Sequence, residues 1–398
     1  MNTKEYIDIE EKYGARNYNP LDVVISKAEG VWLYDVEGNK YLDCLAAYSS
    51  VNQGHCNPSI LSVFKEQAEK VTITSRAFRN DQLPKLYKKL HDMTGFDMSL
   101  PMNSGAEAVE TAIKAARRWG YRNKNIESDK AEIIVASDNF HGRTTTIVGF
   151  STDDQYKKDF GPFTPGFKVS EFGNIDSVKE LINEKTCCIM VEPIQGEAGI
   201  VIPPDGYLKQ LRELCDEHNI LLAFDEIQSG LGRSGMLFAH QYEEIKPDMV
   251  IIGKALSGGF YPVSAVLSDK DVLGVFGPGD HGSTFGGNPL GAAVAHAALE
   301  VIENENLVEK SYENGKYFME LLESIESDKI KDVRGKGLWI GLELTENARK
   351  YCEDLMALGV LCKETHDYVI RIAPPLVITR EEIDWAFDRI KTVIEKHS

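Results

Sequence analysis

Short apolar segments that alternate with amphipathic helical segments constrain the fold of this chain more than any other feature. Apolar runs of strand length occur at residues 132–136, 187–191, 221–225 and 249–253. The segment 207–218, between two of these runs, has the apolar spacing of a helix that packs on one face. Such alternation is typical of a parallel sheet with helices on both faces. The sequence therefore predicts an α/β fold for the central part of the chain.

One helix is predicted with particular clarity over residues 104–121. Ser104 can cap its N-terminus, and Glu107 stands at the position that completes a capping box. The apolar residues that share one face of this helix are Ala108, Ala112, Ala115 and Trp119. A helix N-terminus that opens with small residues exposes backbone N–H groups and suits a phosphate. Taken alone, the segment is more often only a well-capped structural helix.

The character of the sequence changes on both sides of this central part. After about residue 305, charged helical segments surround strand-like pieces, which predicts a smaller α+β domain. The helical segments are 307–323, 348–358 and 380–397, and the strand-like pieces are 338–344 and 368–372. The first residues are predicted to be an irregular arm with short strands at 30–35 and 41–43. We therefore expect an N-terminal arm (1–57), a large domain (58–305) and a small C-terminal domain (306–398).

The composition excludes several classes of protein. The 398 residues carry a formal net charge of −18, and so acidic a chain repels nucleic-acid phosphates and anionic membranes. No apolar run approaches the ~20 residues that span a bilayer. The N-terminus has neither a secretory apolar stretch nor a basic, acid-poor presequence. We expect a cytoplasmic protein that binds neither nucleic acid nor a membrane.

Cysteine and histidine give no sign of a metal site. The seven cysteines are an odd number without metal-ligand spacing, and the nine histidines include no pair at zinc-binding spacing. Reduced thiols are the usual state of cysteines in the cytoplasm. The sequence therefore predicts no metal.

A glycine-rich segment resembles a nucleotide fingerprint. Residues 230–235 read GLGRSG and match the GxGxxG pattern of dinucleotide-binding proteins. That pattern requires a strand, an immediate turn and a helix whose N-terminus holds the pyrophosphate. Here other residues separate the apolar run 221–225 from the first glycine, and no clear helix follows the last one. The match predicts a loop and not a nicotinamide site.

Two ionisable residues follow successive predicted strands. Asp225 ends one apolar run, and Lys254 follows the next one, ahead of a glycine-rich turn. In open parallel sheets, ligands bind beyond the carboxyl ends of the strands. Burial lowers the pKa of a lysine and makes its amine a usable nucleophile toward a carbonyl group. A helix cap and a surface lysine explain either residue alone, but their shared position favours a functional site.

A further glycine-flanked segment, residues 281–289, carries two hydroxyl side chains. Ser283 and Thr284 lie where glycines let the backbone approach a ligand, and both hydroxyls could hold a phosphate. As an isolated segment, it is more often a tight loop.

Six segments together resemble the class III pyridoxal-phosphate aminotransferases, in order and spacing over nearly the whole chain. These segments are SGAEAVE (104–110), NFHGRT (139–144), VEPIQGEAG (191–199), FDEIQSGLGRSG (224–235), GKALSGG (253–259) and HGSTFGGNP (281–289). Three more resemble the ornithine 5-aminotransferase branch of that family: YGARNYNPL (13–21), AYSSVNQGHCNP (47–58) and VIRIAPPLVI (369–378). The resemblance implies a fold type I transferase whose large domain has a mainly parallel seven-stranded sheet.

The resemblance also implies roles for the cofactor residues. Lys254 would hold pyridoxal phosphate covalently, and Asp225 would pair with the pyridinium nitrogen and keep it protonated, so that the ring can accept electrons. Gln228 would bond the phenolic oxygen of the ring. The residues at the ring faces and edge would be Phe140, Ile227 and His141, and the phosphate would lie against Ser104, Gly105, Ala106, Ser283 and Thr284. Thr284 would come from a neighbouring subunit, which implies a homodimer with active sites at its interface and leaves a larger assembly open.

The resemblance also implies that two arginines bind the carboxylates of the substrates. Arg143 would hold the carboxylate distal to the reaction in both substrates, and Arg371 would bind only the near carboxylate of 2-oxoglutarate. Glu197 would pair with Arg371 while ornithine is bound, because an unpaired buried arginine is costly. Tyr18 would bind the amino-acid end of ornithine, and Tyr48 would line the pocket. Glu197 as a plain loop carboxylate and the tyrosines as core aromatics are the alternatives.

The implied reaction transfers the 5-amino group of L-ornithine to 2-oxoglutarate. Its products would be L-glutamate and L-glutamate 5-semialdehyde, which cyclises to pyrroline-5-carboxylate. Acetylornithine and 4-aminobutyrate aminotransferases of the same family are the alternatives. An aminomutase, a racemase or a non-catalytic binding protein on this fold are more distant ones.

Overall fold

A computed structural model describes all 398 residues and confirms the predicted α/β architecture. The strands are β1 (Ile25–Glu29), β2 (Trp32–Asp35), β3 (Lys40–Asp43), β4 (Met98–Met102), β5 (Glu132–Ala136), β6 (Phe167–Ser170), β7 (Thr186–Val191), β8 (Leu221–Asp225), β9 (Met249–Ile252), β10 (Ser264–Ser268), β11 (Ile330–Gly335), β12 (Ile340–Leu344), β13 (Val360–Leu361), β14 (Lys363–Thr365) and β15 (Val369–Ile372). The helices are α1 (Thr3–Tyr13), α2 (Ala46–Ser49), α3 (Pro58–Lys70), α4 (Leu83–Thr94), α5 (Gly105–Asn123), α6 (Thr145–Gly149), α7 (Asp154–Lys157), α8 (Ile175–Leu181), α9 (Tyr207–His218), α10 (Lys270–Leu273), α11 (Pro289–Asn304), α12 (Leu307–Glu323), α13 (Arg349–Ala357) and α14 (Arg380–His397).

A seven-stranded sheet forms the centre of the molecule. Its strand order is β4-β10-β9-β8-β7-β5-β6. The neighbours from β9 to β6 pair in parallel, and β10 runs antiparallel to both β9 and β4. The strands β7, β8, β9 and β10 are buried along their whole length, as the near-continuous apolar runs of the sequence require. The mainly parallel seven-stranded sheet is therefore confirmed.

Helix α5 follows the predicted pattern closely. The Ser104 hydroxyl accepts a hydrogen bond from the Glu107 backbone N–H, and the Glu107 carboxylate accepts one from the Ser104 N–H. All four apolar residues assigned to one face are buried: Ala108, Ala112, Ala115 and Trp119. The capping box thus fixes where this helix begins, and the apolar face packs it against the central sheet.

Two smaller sheets flank the central one. The strands β11, β12, β15 and β14 form an antiparallel sheet within the C-terminal segment, as predicted for an α+β unit. The strands β1, β2 and β3 form a second sheet, in which β13 pairs in parallel with β3. The C-terminal segment therefore contributes a strand to the N-terminal sheet. The domain boundaries at residues 57 and 305 stay predictions.

The N-terminal arm is more regular than the sequence analysis predicted. Residues Thr3–Tyr13 form α1, which begins with a capping box between Asn2 and Glu5. None of the residues of α1 is buried. The segment is polar and acid-rich and contributes nothing to the core, which is why the sequence analysis predicted an irregular arm; its capping box nevertheless sets the start of a helix.

The GLGRSG segment forms a loop after β8, as predicted. Gly232 and Gly235 adopt φ values of +91° and +83°, and a short 3₁₀ turn at Ala239–Glu243 follows. Arg233 of this loop is fully buried and donates to the backbone oxygens of Leu338 and Pro374, each at 2.7 Å. This arginine therefore ties the loop to the C-terminal segment.

None of the helices combines the length and the apolar character needed to cross a membrane.

Candidate active site

The predicted site residues gather at one edge of the central sheet. The chain carries functional groups directly beyond the carboxyl ends of β5, β7, β8 and β9, as expected for an open parallel sheet. A cavity of about 190 Å³ opens at this edge. Of the predicted cofactor residues, those that line it are Gly105, Ala106, Phe140, His141, Asp225, Ile227, Gln228 and Lys254. Residues far apart in the sequence are thus brought together around one cavity.

Asp225 is held by two hydrogen bonds at the end of β8. Its Oδ1 accepts from the backbone N–H of Ile227 at 3.0 Å, and its Oδ2 accepts from His141 Nδ1 at 2.7 Å. Both side chains are almost completely buried. Burial opposes the positive charge on His141, but the hydrogen bond and the charge of Asp225 prevail and raise its pKa. His141, predicted only to lie beside a ring, is therefore the residue that orients the carboxylate.

Lys254 begins a 3₁₀ turn directly after β9. Its backbone is left-handed, with φ of 45°, although it carries a side chain. Burial lowers the pKa of Lys254, and the charge of Arg371 lowers it further, while Glu197 and Asp225 act in the opposite direction. A lowered pKa increases the fraction of uncharged amine, which is the form that attacks a carbonyl group. A strained backbone at such a position is common at functional sites.

Glu192 is a site residue that the sequence analysis missed. It directly follows β7, is almost fully buried and lines the same cavity. Its two oxygens accept hydrogen bonds from the backbone N–H groups of Phe140, at 3.0 Å, and Gly196, at 3.3 Å. Burial raises the pKa of Glu192 to about 7. An acidic residue straight after an apolar strand is the signal that identified Asp225, and it could have identified Glu192 as well.

Arg371 and Glu197 form an ion pair at the side of the cavity. Arg371 Nη2 donates to Glu197 Oε1 at 3.1 Å and to the Gly196 carbonyl oxygen at 2.9 Å. Gln228 Nε2 donates to the same Glu197 oxygen at 3.2 Å. Arg371 is only 1% exposed, and its Nε and Nη1 have no hydrogen-bond partner. A buried guanidinium with unused donors is suited to receive a carboxylate from a ligand.

Tyr48 lies on a strained turn beside this ion pair. The four residues of α2 are left-handed, with φ values from 46° to 74°. The guanidinium carbon of Arg371 lies 5.2 Å from the centroid of the Tyr48 ring. The carboxylate of Asp43 accepts from the backbone N–H groups of Leu45 and Ala46, at 2.8 and 2.9 Å, and so secures the start of the turn. Left-handed residues other than glycine cost roughly 1–2 kcal/mol each, so the surrounding structure enforces this turn.

Other predicted residues lie at the rim of the cavity or beyond it. Arg143 is exposed and Tyr18 is 73% exposed on the segment between α1 and β1. Ser283 accepts from Asn103 Nδ2 at 2.9 Å, next to the start of α5, whereas Thr284 is exposed and does not line the cavity of its own chain. The structure therefore places the Ser283 hydroxyl close to the start of α5, whereas Thr284 lies outside the cavity.

The comparisons with known proteins identify the family. The sequence pattern described as aminotransferase class-III matches residues 13–394. The chain belongs to the class III aminotransferases. A curated ornithine aminotransferase of Brevibacillus brevis is 59% identical over 392 residues, which cover 98% of each chain. The predicted family is therefore confirmed.

Two solved structures of aminotransferases share the fold over nearly their whole length. An ornithine aminotransferase from Toxoplasma gondii, with pyridoxal phosphate partly occupying its active site, has a TM-score of 0.98 at 41% identity, covering 99% of this chain and 94% of that one. An acetylornithine aminotransferase from Elizabethkingia anophelis has a TM-score of 0.92 at 48% identity, covering 99% of both chains. These matches confirm the predicted transferase fold.

The cavity of this class III aminotransferase fits pyridoxal phosphate, the cofactor of its family. Asp225 would offer a buried carboxylate to the ring nitrogen, and Lys254 would offer an amine to the aldehyde. Gln228 Oε1 and His141 Nε2 are buried without a protein partner, so polar atoms remain for a ligand. The capped start of α5 offers backbone N–H groups to a phosphate, and a side chain at Gly105 would meet Ile227 at 3.0 Å. The residue types present are those that the cofactor requires.

A larger cavity, of about 410 Å³, lies elsewhere on the aminotransferase. It borders β4 and is lined by residues that include Arg76, Leu100 and His281, but by none of the predicted catalytic residues. Volume therefore does not select the candidate active site, whereas the convergence of buried ionisable groups selects the smaller cavity.

Proposed function

We propose that this protein transfers the 5-amino group of L-ornithine to 2-oxoglutarate. The products are L-glutamate and L-glutamate 5-semialdehyde, which cyclises to pyrroline-5-carboxylate. The observation that carries the proposal is the ion pair between buried Arg371 and Glu197, because it provides a carboxylate site that can be closed or opened. Curated relatives named ornithine aminotransferase, at 59% identity over almost the whole chain, support the same substrate.

In this proposal, Lys254 and Asp225 have separate roles in the reaction at C5 of ornithine. Pyridoxal phosphate, when bound, supplies an aldehyde that exchanges amino groups and a ring that takes up electron density. Lys254 would hold the cofactor until the 5-amine of ornithine takes its place, and the Nζ released in that exchange would then take the proton from C5 and pass it to the cofactor. Asp225 would keep a proton on the ring nitrogen, and His141 holds that carboxylate in place through the bond between Nδ1 and Oδ2. The remaining ring contacts in the proposal come from Phe140 and Ile227.

The pair of Arg371 and Glu197 lets one cavity accept two unlike substrates. Ornithine presents an uncharged chain next to its reacting amine, so Glu197 stays paired with Arg371 in that half of the reaction. 2-Oxoglutarate presents a carboxylate next to its keto carbon, and this carboxylate takes the place of Glu197. Burial opposes the negative charge on Glu197, but Arg371 and Lys254 prevail and lower its pKa, so the pair is ionised at neutral pH.

The far end of each substrate is held at the rim. In this proposal Arg143 binds the distal carboxylate of both substrates, Tyr18 contacts the amino-acid end of ornithine, and Tyr48 shapes the pocket beside Arg371. The support for Tyr48 is its ring, which lies 5.2 Å from the guanidinium carbon.

The active unit in this proposal is a homodimer, and assemblies of several dimers are compatible with it. Thr284 is exposed and forms no hydrogen bond within its own chain, which suits a phosphate contact across a subunit boundary. We further propose a cytoplasmic location, which the seven free cysteines support. The proposed division into an arm (1–57), a large domain (58–305) and a small domain (306–398) completes this description.

A direct assay with competing amino donors tests the function. The purified protein, loaded with pyridoxal phosphate, is given 2-oxoglutarate with L-ornithine, N-acetylornithine or 4-aminobutyrate, and both glutamate and pyrroline-5-carboxylate are measured. We expect the highest kcat/KM with ornithine and a strict requirement for 2-oxoglutarate. A higher kcat/KM with N-acetylornithine would transfer the assignment to the acetylornithine branch, to which the 48% identical solved structure belongs.

A further inference from the structure

Arg143 is held by aromatic rings and not by an acidic partner. Its guanidinium carbon lies 4.3 Å from the centroid of the Tyr156 ring and 5.7 Å from that of Phe140. The two rings meet edge to face, with centroids 5.9 Å apart and planes at 73°. Tyr156 lies on α7, where the carboxylate of Asp153 caps the first turn. The rings therefore form a corner in which the planar guanidinium lies.

This arrangement leaves the donors of Arg143 available. No carboxylate lies within 4.0 Å of its guanidinium, and the side chain donates no hydrogen bond within the chain. Arg371 shows the contrast, because Glu197 and the Gly196 carbonyl oxygen already occupy one of its nitrogens. An aromatic face attracts a guanidinium through its π electrons and uses none of the N–H groups. An arginine fixed in this way can still offer two parallel N–H bonds to a ligand carboxylate.

Tyr156 also lies within electrostatic reach of the ion pair between Arg371 and Glu197. Burial raises the pKa of its phenol, while the charges of Arg143 and Arg371 lower it and that of Glu197 raises it. The charges of both arginines therefore influence the pKa of Tyr156, although only Arg143 packs on its ring. Of the two rings beside Arg143, that of Tyr156 is the nearer.

We propose that Tyr156 is a positioning residue that holds Arg143 in place for the distal carboxylate of both substrates. The inference rests on the proposed function, since it assumes that Arg143 binds those carboxylates. The same arginine binds the substrate of each half-reaction. Loss of the Tyr156 ring therefore weakens the binding of both substrates to a similar degree. Because the Tyr156 ring does not line the cavity that contains Lys254, kcat changes little. A residue that acted through Arg371 would instead raise KM for 2-oxoglutarate alone.

The test compares Tyr156→Leu with Tyr156→Phe. Leucine keeps apolar volume but removes the π face, whereas phenylalanine keeps the face and removes only the hydroxyl. We expect Tyr156→Leu to raise KM for L-ornithine and for 2-oxoglutarate by roughly threefold to tenfold, as expected for one cation–π contact, with kcat within about twofold. Tyr156→Phe should keep both KM values within about twofold of the wild type. Equal defects in the two variants would overturn the inference, because the hydroxyl would then be the important group.

A double-mutant cycle with Arg143→Gln shows whether the effect passes through the arginine. In the Arg143→Gln background, Tyr156→Leu should change kcat/KM by less than about twofold, since the contact is already absent. Additive losses would overturn the inference. Melting temperature and the visible absorption of the bound cofactor should match the wild type, and if Tyr156→Leu precipitates, Tyr156→Gln takes its place. A wild type without ornithine turnover would refute the proposed function, whereas an active wild type with an unaffected Tyr156→Leu variant would refute only this inference.

Discussion

Replacing Glu197 by alanine is expected to shift the substrate preference of the enzyme from ornithine towards glutamate. In the wild type, an incoming α-carboxylate must displace Glu197 Oε1 from Arg371 Nη2, where the two atoms lie 3.1 Å apart. A hydrogen bond between charged groups is worth roughly 1.5–3 kcal/mol, and Arg371 is too buried for water to replace it easily. Removing this competitor should therefore raise kcat/KM for glutamate, relative to ornithine, by roughly tenfold to a hundredfold.

The assay measures both amino donors under the same conditions. Initial rates are determined with L-glutamate and with L-ornithine, each as the sole donor to the pyridoxal form of the enzyme, by following the change in cofactor absorbance. The matched control is Glu132→Ala, which removes a half-buried carboxylate paired with Lys168 at 2.9 Å. Glu132 lies at the opposite end of β5 from the cavity, so the ratio of the two donors should not change.

Two results would refute this reasoning. An unchanged ratio of glutamate to ornithine in Glu197→Ala would mean that Glu197 does not restrict Arg371. A similar change in Glu132→Ala would mean that the loss of one negative charge, and not the loss of this contact, controls the preference.

Three further predictions concern the amine, the buried acid and the strained turn. Lys254→Ala should abolish the visible absorption band of the bound cofactor and lower turnover at least about 10³-fold, and a surviving band would contradict the proposed attachment. Because burial raises the pKa of Glu192 to about 7 from 4.5, the folded protein holds this proton more tightly than the unfolded chain. The stability of the wild type relative to Glu192→Gln should therefore fall by roughly 3 kcal/mol as the pH rises from 4.5 to 7, and a pH-independent difference in urea unfolding would refute this. Ala47 is left-handed, with φ of 46°, so Ala47→Gly should stabilise the protein by up to about 1 kcal/mol, and a destabilised variant in the same urea assay would show that the turn is not strained.

Local patterns sufficed for the elements that carry the site. The apolar runs at β5 and β8 gave the strand limits without error, and the Ser104 and Glu107 pair gave the start of α5. Asp225 and Lys254 could be selected because their position at strand ends is visible in the chain order. Helix α1 escaped prediction because its segment is polar and acid-rich and none of its residues is buried.

Contacts between distant segments could not be obtained in this way. His141 and Asp225 are 84 residues apart, and Glu197 and Arg371 are 174 residues apart, so no local periodicity links them. The resemblance to the family suggested the second pair, whereas the first became visible only in the structure. Tyr156 is a similar case, because a tyrosine on a four-residue helix carries no signal of its proximity to Arg143.

The sequence by itself determined which segments become strands and helices, because apolar periodicity and helix caps act over a few residues. It also determined which residue types stand beyond the strand ends. The tertiary structure decided which of these side chains meet, because β6 pairs at the sheet edge and β7 pairs directly with β5, so the carboxyl ends of β5, β7, β8 and β9 lie side by side. It alone decided that His141 bonds Asp225, that Glu192 joins two loops, and that the Tyr156 ring lies against Arg143.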